Sequence, residues 1–246
     1  MGSFPIDGLL AELCARLHSS GTLILQAPPG AGKTTRVPLA LIGELVQAPR
    51  AEGRILLIEP RRLAAKAAAT RLAESIGEPV GQRVGYSVRN EQKRSDATTI
   101  EAITDGLFLR RLQSQPDLPG VGVVIFDEFH ERRRDSDVAL ALLREARRVL
   151  RPDLKLLLMS ATLQLEALSA QFDSADTLTS QGQAFPVKTR HCPPRNKEQL
   201  ETHVLRVLEE ELIELEDGRH KGEIPPGVLV FLPGLREIDR CRQKLM

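Results

Sequence analysis

The chain has 246 residues, 41% hydrophobic and 27% charged, and its 34 Lys and Arg nearly balance its 33 Asp and Glu to leave a net charge of +1. Those are the proportions of a soluble globular protein with one large domain or two moderate ones, and they exclude a protein basic enough to hold nucleic acid by its whole field, so that any such surface is a local groove. Cys14, Cys192 and Cys241 stand far apart, and no basic leader or run of roughly 18 apolar residues occurs, which excludes a zinc framework, a disulfide scaffold, a signal peptide and a membrane span and makes a reducing cytoplasm the expected compartment.

Ile6, Leu9, Leu10, Leu13, Cys14 and Leu17 recur at helical spacing and stop before Gly21, which predicts an amphipathic helix packed on a sheet. The apolar run Thr22–Gln26 predicts a buried strand. It leads into Ala27-Pro-Pro-Gly-Ala-Gly-Lys-Thr-Thr35 and then a helical pattern over 37–46, with Pro38 expected to kink it. Strand, Gly-rich turn and helix together make a phosphate cradle. Backbone N–H groups wrap phosphate oxygens at the helix N-terminus, Lys33 adds a point charge and the Thr34 hydroxyl can ligate Mg²⁺. Ala27 departs from the strict pattern, which has Gly there.

Residues 54–58 predict a second strand, closed by Glu59-Pro60-Arg61-Arg62 and followed by an Ala-rich helix over 63–76. Further strands are expected near 83–88 and over 98–104, then Asp105-Gly106 and a helix over 107–113. The apolar run 121–126 reads as a strand ending in Asp127-Glu128-Phe129-His130. A helix over 137–149, a strand over 155–160 and a short helix over 165–172 complete the pattern. Apolar strands alternating with helices predict a parallel sheet covered on both faces. An acid at a strand's carboxyl end beside a phosphate cradle can hold Mg²⁺, and the adjacent Glu128 can polarise an attacking water.

From 173 to 183 the sequence turns small and polar. We divide the chain into a first domain at 1–178, a linker at 179–184 and the beginning of a second domain at 185–246. In the last part strands are expected over 185–190 and 227–232, a long helix from Leu200 to Leu215, a loop over 218–227 and a short helix to Met246. Aromatic residues make up only 3% of the chain, so base stacking is not expected to be the main mode of nucleic-acid binding.

Gly-Lys-Thr-Thr35, Pro60-Arg-Arg62, Thr104-Asp-Gly106, Asp127-Glu-Phe-His130, Ser160-Ala-Thr162 and Leu232-Pro-Gly234 come in the order and spacing of the motifs of DEAH/RHA-type superfamily 2 helicases. The match resembles the bacterial HrpB-type members in particular, with Phe129 where the family name has Ala. The resemblance implies an α/β, RecA-like parallel sheet followed by the beginning of a second RecA-like domain. It implies an NTP hydrolase that uses ATP, or another NTP, with Mg²⁺ and couples hydrolysis to 3′-to-5′ movement along single-stranded RNA, DNA being the other candidate strand.

Carried over residue by residue, the resemblance gives nucleotide binding to Pro29, Gly30, Ala31, Gly32, Lys33, Thr34 and Thr35, with the amides of Gly30, Ala31 and Gly32 on phosphate oxygens and Arg71 stacked on adenine. It implies that Thr34 and Asp127 hold Mg²⁺, that Glu128 is the catalytic base beside Lys33, and that His130, Ser160 and Thr162 couple the site to movement. Arg61, Arg62, Thr104, Asp105 and Gly106 fall where the family contacts the strand's backbone; Arg89 and Asn90 fall in its hook-shaped turn. Arg132, Arg133 and Arg134 read as a solvated run. The family's late Gln-Arg-x-Gly-Arg-x-Gly-Arg segment is absent from the sequence. The expectation is therefore a monomeric fragment of a longer enzyme, hydrolysing slowly by itself. Two other readings use the same cradle: a transport or assembly ATPase that touches no nucleic acid, and a nucleotide-dependent RNA-binding module.

Overall fold

The computed structural model describes residues 4–45, 53–161, 172, 175–180, 187–217 and 227–245. The chain divides into two compact units, residues 1–184 and 185–246. In the first unit a 3₁₀ turn, Asp7–Leu9, leads into α1 (Leu10–Ser20), which ends at Gly21 with φ 71°, a left-handed cap that a residue without Cβ adopts at no steric cost. There follow β1 (Thr22–Gln26), α2 (Lys33–Leu45), β2 (Arg54–Glu59), α3 (Arg62–Ser75), β3 (Val84–Val88), β4 (Glu91–Lys93), β5 (Ile100–Thr104) and α4 (Asp105–Ser114). β6 (Val121–Phe126), a 3₁₀ turn at Phe129–Glu131, α5 (Arg134–Val149), β7 (Lys155–Ser160) and β8 (Asp176–Thr179) complete the unit.

The eight strands form one sheet in the order β4-β3-β5-β2-β6-β7-β1-β8, parallel throughout except where β4 runs antiparallel to β3. Alternation along the strands sorts the core. Leu23, Leu25, Ile55, Leu57, Val123, Ile125, Leu157 and Met159 face one side, under Leu13, Leu17, Val37, Leu41 and the small Ala65, Ala69 and Ala73 of α1, α2 and α3. Ile24, Leu56, Ile58, Val124, Phe126, Leu156 and Leu158 face the other, under Phe108 and Leu112 of α4 and Leu140 and Leu143 of α5. Phe126 is the hub of that face, meeting Phe108 and Phe129 edge to face with ring centroids 5.8 Å apart in both cases. Phe129 is buried, so the departure from the family's Ala fills core space.

One charge is sealed in the middle of the sheet. Glu101 of β5 is fully buried; burial raises its pKa, but the Arg111 guanidinium at 2.7 and 2.9 Å and the Ser87 hydroxyl hold it below the usual carboxylate range.

Two strands were not expected. β4 is a three-residue edge of exposed polar side chains, and β8 falls inside the stretch read as polar and linker-like, with only Leu178 buried; Ser180 still donates its amide to the Gln26 carbonyl. The expected helix over 165–172 lies outside the described residues except for Phe172. In the second unit, α6 (Leu200–Asp217) and α7 (Leu235–Leu245) pack together, Lys244 donating to the Thr202 hydroxyl at 2.6 Å. Near the start of α6, the guanidinium of Arg206 and the Arg195 amide take the Glu198 carboxyl down to about 2. The strands expected over 185–190 and 227–232 are not formed where described, at 187–190 and 227–232, which are extended or irregular with Val187, Leu229 and Phe231 exposed. A strand needs a partner for its amides, and among the described residues of this unit no ladder is formed.

Candidate functional site

All the strand ends that carry chemistry face one edge of the sheet. Along β5-β2-β6-β7-β1 the carboxyl ends present Thr104, Glu59, Asp127, Ser160 and Ala27 in turn, the position where parallel α/β sheets take their ligands. Two clefts open there.

The first, of about 630 Å³, is lined by Phe4, Pro29, Gly30, Gly32, Lys33, Thr34, Thr35, Arg36, Arg71, Glu74, Ser75 and Glu128. Gly30 and Gly32 have φ of 78° and 91°, which turns the loop tightly enough to start α2 at Lys33. Ala31 stands apart from its neighbours. It is buried, and its amide donates to the Pro28 carbonyl at 3.2 Å, so that amide is engaged within the loop. The Lys33 ammonium lies 3.1 Å from Glu128 Oε1 and 3.5 Å from the Ala27 carbonyl. The Thr34 hydroxyl donates to Asp127 across 93 residues of sequence, joining the loop after β1 to the end of β6. Glu128 is held in the left-handed region at φ 48°, and its amide donates to Asp127 Oδ1 at 2.8 Å.

Negative charge is crowded beneath this cleft. Burial, with the Glu128 charge adding to it, pushes Asp127 up to about 6 against the Thr34 hydroxyl and Lys33. Glu59, to which sequence pattern assigned no role, is buried beside it with one carboxyl oxygen lacking a protein partner. Burial first, then Asp127 and Glu128, push it up to about 9. A hydroxyl and a carboxylate side by side in an acid-rich pocket with Lys33 as the buried cation suit a small hard dication. Among the described residues no cluster of three His, Cys, Asp or Glu could hold a metal by itself.

His130 and Ser160 tie the neighbouring strands together. His130 Nδ1 lies 3.3 Å from the Ala161 amide, which donates to it, and 3.4 Å from Glu128 Oε2. The Ser160 carbonyl accepts from the Ala27 amide at 3.0 Å. Thr162 lies outside the described residues.

The second cleft, of about 880 Å³, gathers Arg61, Arg62, Arg89, Asn90, Thr104, Asp105 and Gly106, the whole set read from sequence as strand-contacting. The N-termini of α3 and α4 both open on it, and neither is closed by a side-chain cap. At α3 the uncapped amides and the helix dipole make an anion-binding end, whereas at α4 the Gly106 amide already donates to Asp105 Oδ1 at 2.8 Å. Asn90 has φ 63°, which turns β3 back into β4 and points the hook at the cleft's rim. Arg61 pairs with Glu131 at 3.2 Å. Arg110, Gln113 and Arg133 also line the cleft and were missed. Arg133 belonged to the run read as solvated; it instead donates to the buried Asp105 at 2.7 Å, while Arg132 pairs with Asp137 and Arg134 stays 91% exposed. The missed signal is tertiary, because α4 and the turn into α5 bring these side chains to the same cleft as Arg61 and Arg62 from elsewhere in the chain.

Known proteins share this arrangement. The sequence profile described as DEAD/DEAH box helicase matches residues 11–170. The ATP-dependent RNA helicase HrpB of Escherichia coli (strain K12) is 41% identical over 245 residues, a match that takes in 100% of this chain and 29% of that protein. Among solved structures, the crystal structure of the Escherichia coli DEAH/RHA helicase HrpB superposes with a TM-score of 0.86 at 40% identity, over 99% of this chain and 29% of that one. A crystal structure of the E. coli DExH-box NTPase HrpB gives a TM-score of 0.76 at 40% identity, over 100% of this chain and again 29% of that one. No helix among the described residues is long and apolar enough to cross a membrane.

Proposed function

The chain belongs to the DEAD/DEAH box helicase family, and from that premise we propose that it binds ATP, or another nucleoside triphosphate, in the first cleft and the backbone of single-stranded RNA in the second. The observation that carries this reading is the Thr34–Asp127 hydrogen bond, which joins a Gly-Lys-Thr turn to an Asp-Glu strand end beside a cleft lined by five arginines. Residues 1–178 serve as a RecA-like ATP-binding domain, 179–184 as a linker and 185–246 as the beginning of a second RecA-like domain. The chain spans 29% of the length of the helicase it matches. In the longer protein, we propose, hydrolysis drives 3′-to-5′ translocation and unwinding.

Thr34 and Asp127 would hold Mg²⁺, which when bound offsets phosphate charge. Lys33, now partnered by Glu128, takes the phosphate as a stronger partner, and the released Glu128 carboxylate accepts the proton of the attacking water. His130 and the Ser160 strand end link that change to the loop after β1. Contacts to phosphate carry no base code, so strand binding tolerates sequence and weakens with salt.

The test is binding of a fluorescent single-stranded RNA across a salt series, with and without an ATP analogue, beside the Arg61→Ala/Arg62→Ala variant. Salt-sensitive binding that weakens in the variant supports the reading. Binding unchanged in the variant, or absent in the full-length protein at low salt, favours an ATPase that uses the cradle without nucleic acid.

A further inference from the structure

Phe4 has no place in the phosphate chemistry, yet it lines the nucleotide cleft together with Arg71, Glu74 and Ser75. Among the described residues of the first unit it is the one exposed aromatic side chain, 37% accessible, while Phe108, Phe126 and Phe129 are buried in the core. An accessible phenyl ring outside a helix or strand is ordinarily a loose surface residue. This one is fixed from three directions. Its own amide donates to Asp7 Oδ2 at 2.9 Å, and Asp7 is gripped by Arg36 of α2 at 2.7 and 3.1 Å. The Arg36 guanidinium stands over the ring, 5.6 Å from its centroid. Two residues on, the Ile6 amide donates to the Ala31 carbonyl at 3.2 Å and the Ile6 side chain is fully buried.

The ring is also packed on the phosphate loop. A Cβ built on Gly32 would come within 2.8 Å of it, so the glycine leaves room for the phenyl as well as for the turn. The aromatic surface is therefore pre-organised on the same rigid piece, α2 and its loop, that presents Lys33 and Thr34 to phosphate. A nucleoside triphosphate has a flat aromatic base attached to its anionic tail, and no other described aromatic side chain borders this cleft.

Resting on the nucleotide reading above, we propose that Phe4 is a base-contacting residue: its ring receives the heterocyclic base of the nucleotide, while Lys33 and Thr34 take the phosphates. A phenyl face does not distinguish one base edge from another, so the contact adds affinity for any nucleoside triphosphate over a bare polyphosphate. Base-on-aromatic packing is worth about fivefold or more in affinity.

The experiment compares ATP with inorganic tripolyphosphate, which has the same tail and no base, by calorimetric titration in Mg²⁺ against the wild-type chain, Phe4→Ala and Phe4→Tyr. ATP binding about fivefold weaker in Phe4→Ala, restored in Phe4→Tyr, with tripolyphosphate affinity equal in all three, is the expected result. Equal weakening of both ligands in Phe4→Ala would mean that the ring only props Gly32, and no change in either would mean that the base lies elsewhere; each overturns the proposal. A wild-type chain that binds neither ligand sinks the nucleotide reading itself, whereas the other two failures leave it standing.

Discussion

Glu59 and Glu101 are the same side chain buried on adjacent strands, paired β2 to β5, with their pKa values driven in opposite directions. Glu101 has Arg111; Glu59 has acids for neighbours and an oxygen without a partner. A carboxyl pushed up to about 9 keeps its proton in the folded chain, while in the unfolded chain it ionises near about 4.3. Between those values the folded state binds one more proton than the unfolded state. The stability associated with neutral Glu59 is full at low pH and is lost as pH rises, at about 1.4 kcal/mol per unit for a single proton. From pH 6 to pH 8 that is about 2–3 kcal/mol, or about 5–10 °C in Tm for a chain of this size.

Glu59→Gln keeps the shape and removes the ionisation. Thermal unfolding followed by circular dichroism, without Mg²⁺ or nucleotide, should show the wild-type Tm falling by that amount from pH 6 to pH 8 relative to the variant. The variant should be the more stable protein at pH 8. Divalent cation is left out because a positive charge near Asp127 favours the ionised acids and would hide the effect. Parallel Tm profiles for the two proteins would refute the reasoning, since they would mean that Glu59 is solvated or paired in a way that lets it ionise normally.

Arg111→Met removes the nearest of three guanidiniums around the buried Glu101, leaving Arg54 and Arg94 at 3.8 Å, and should cost about 3 kcal/mol in urea unfolding, most of it recovered in Arg111→Met/Glu101→Leu. Arg61→Ala/Arg62→Ala should reduce the slope of log affinity against log salt for single-stranded RNA by about 1 to 1.5, at about 0.7 for each phosphate no longer neutralised; an unchanged slope would place the strand elsewhere. In the full-length protein, Glu128→Gln should retain ATP binding and lower turnover by about 100-fold or more, as measured by steady-state phosphate release.

The sheet and its chemistry were legible where local pattern and function coincide. β1, β2, β6 and β7 are apolar runs, each followed by a turn with its own signature, so their ends could be named from sequence and stand together in the structure. β4 and β8 lack that pattern: Glu91-Gln92-Lys93 is polar throughout and Asp176-Thr-Leu-Thr179 offers one buried residue. At 187–190 and 227–232, the described parts of two expected strands, the converse holds: a segment can carry a strand's pattern and form no ladder, because pairing depends on a neighbour that periodicity cannot supply. Phe4, Glu59 and Arg133 escaped for a related reason. What each touches comes from α2, from the end of β6 and from the start of α4, and a lone Phe, Glu or Arg carries no trace of such partners in its own neighbourhood.

The bond between Thr34 and Asp127 also has a meaning in time. β1 pairs with β7, Thr22 opposite Leu156, and β7 lies between β6 and β1, so the pairing spans the chain that holds β2, β5 and β6. Pairings of such long sequence separation close late, because the entropy of the loop is lost before the contacts reward it. The Thr34–Asp127 bond therefore forms only once segments 93 residues apart have been brought to the same edge of the sheet. A ligand that bound both halves would favour the assembled sheet over any state in which β1 and β6 are apart, and so would stabilise the whole domain rather than one loop.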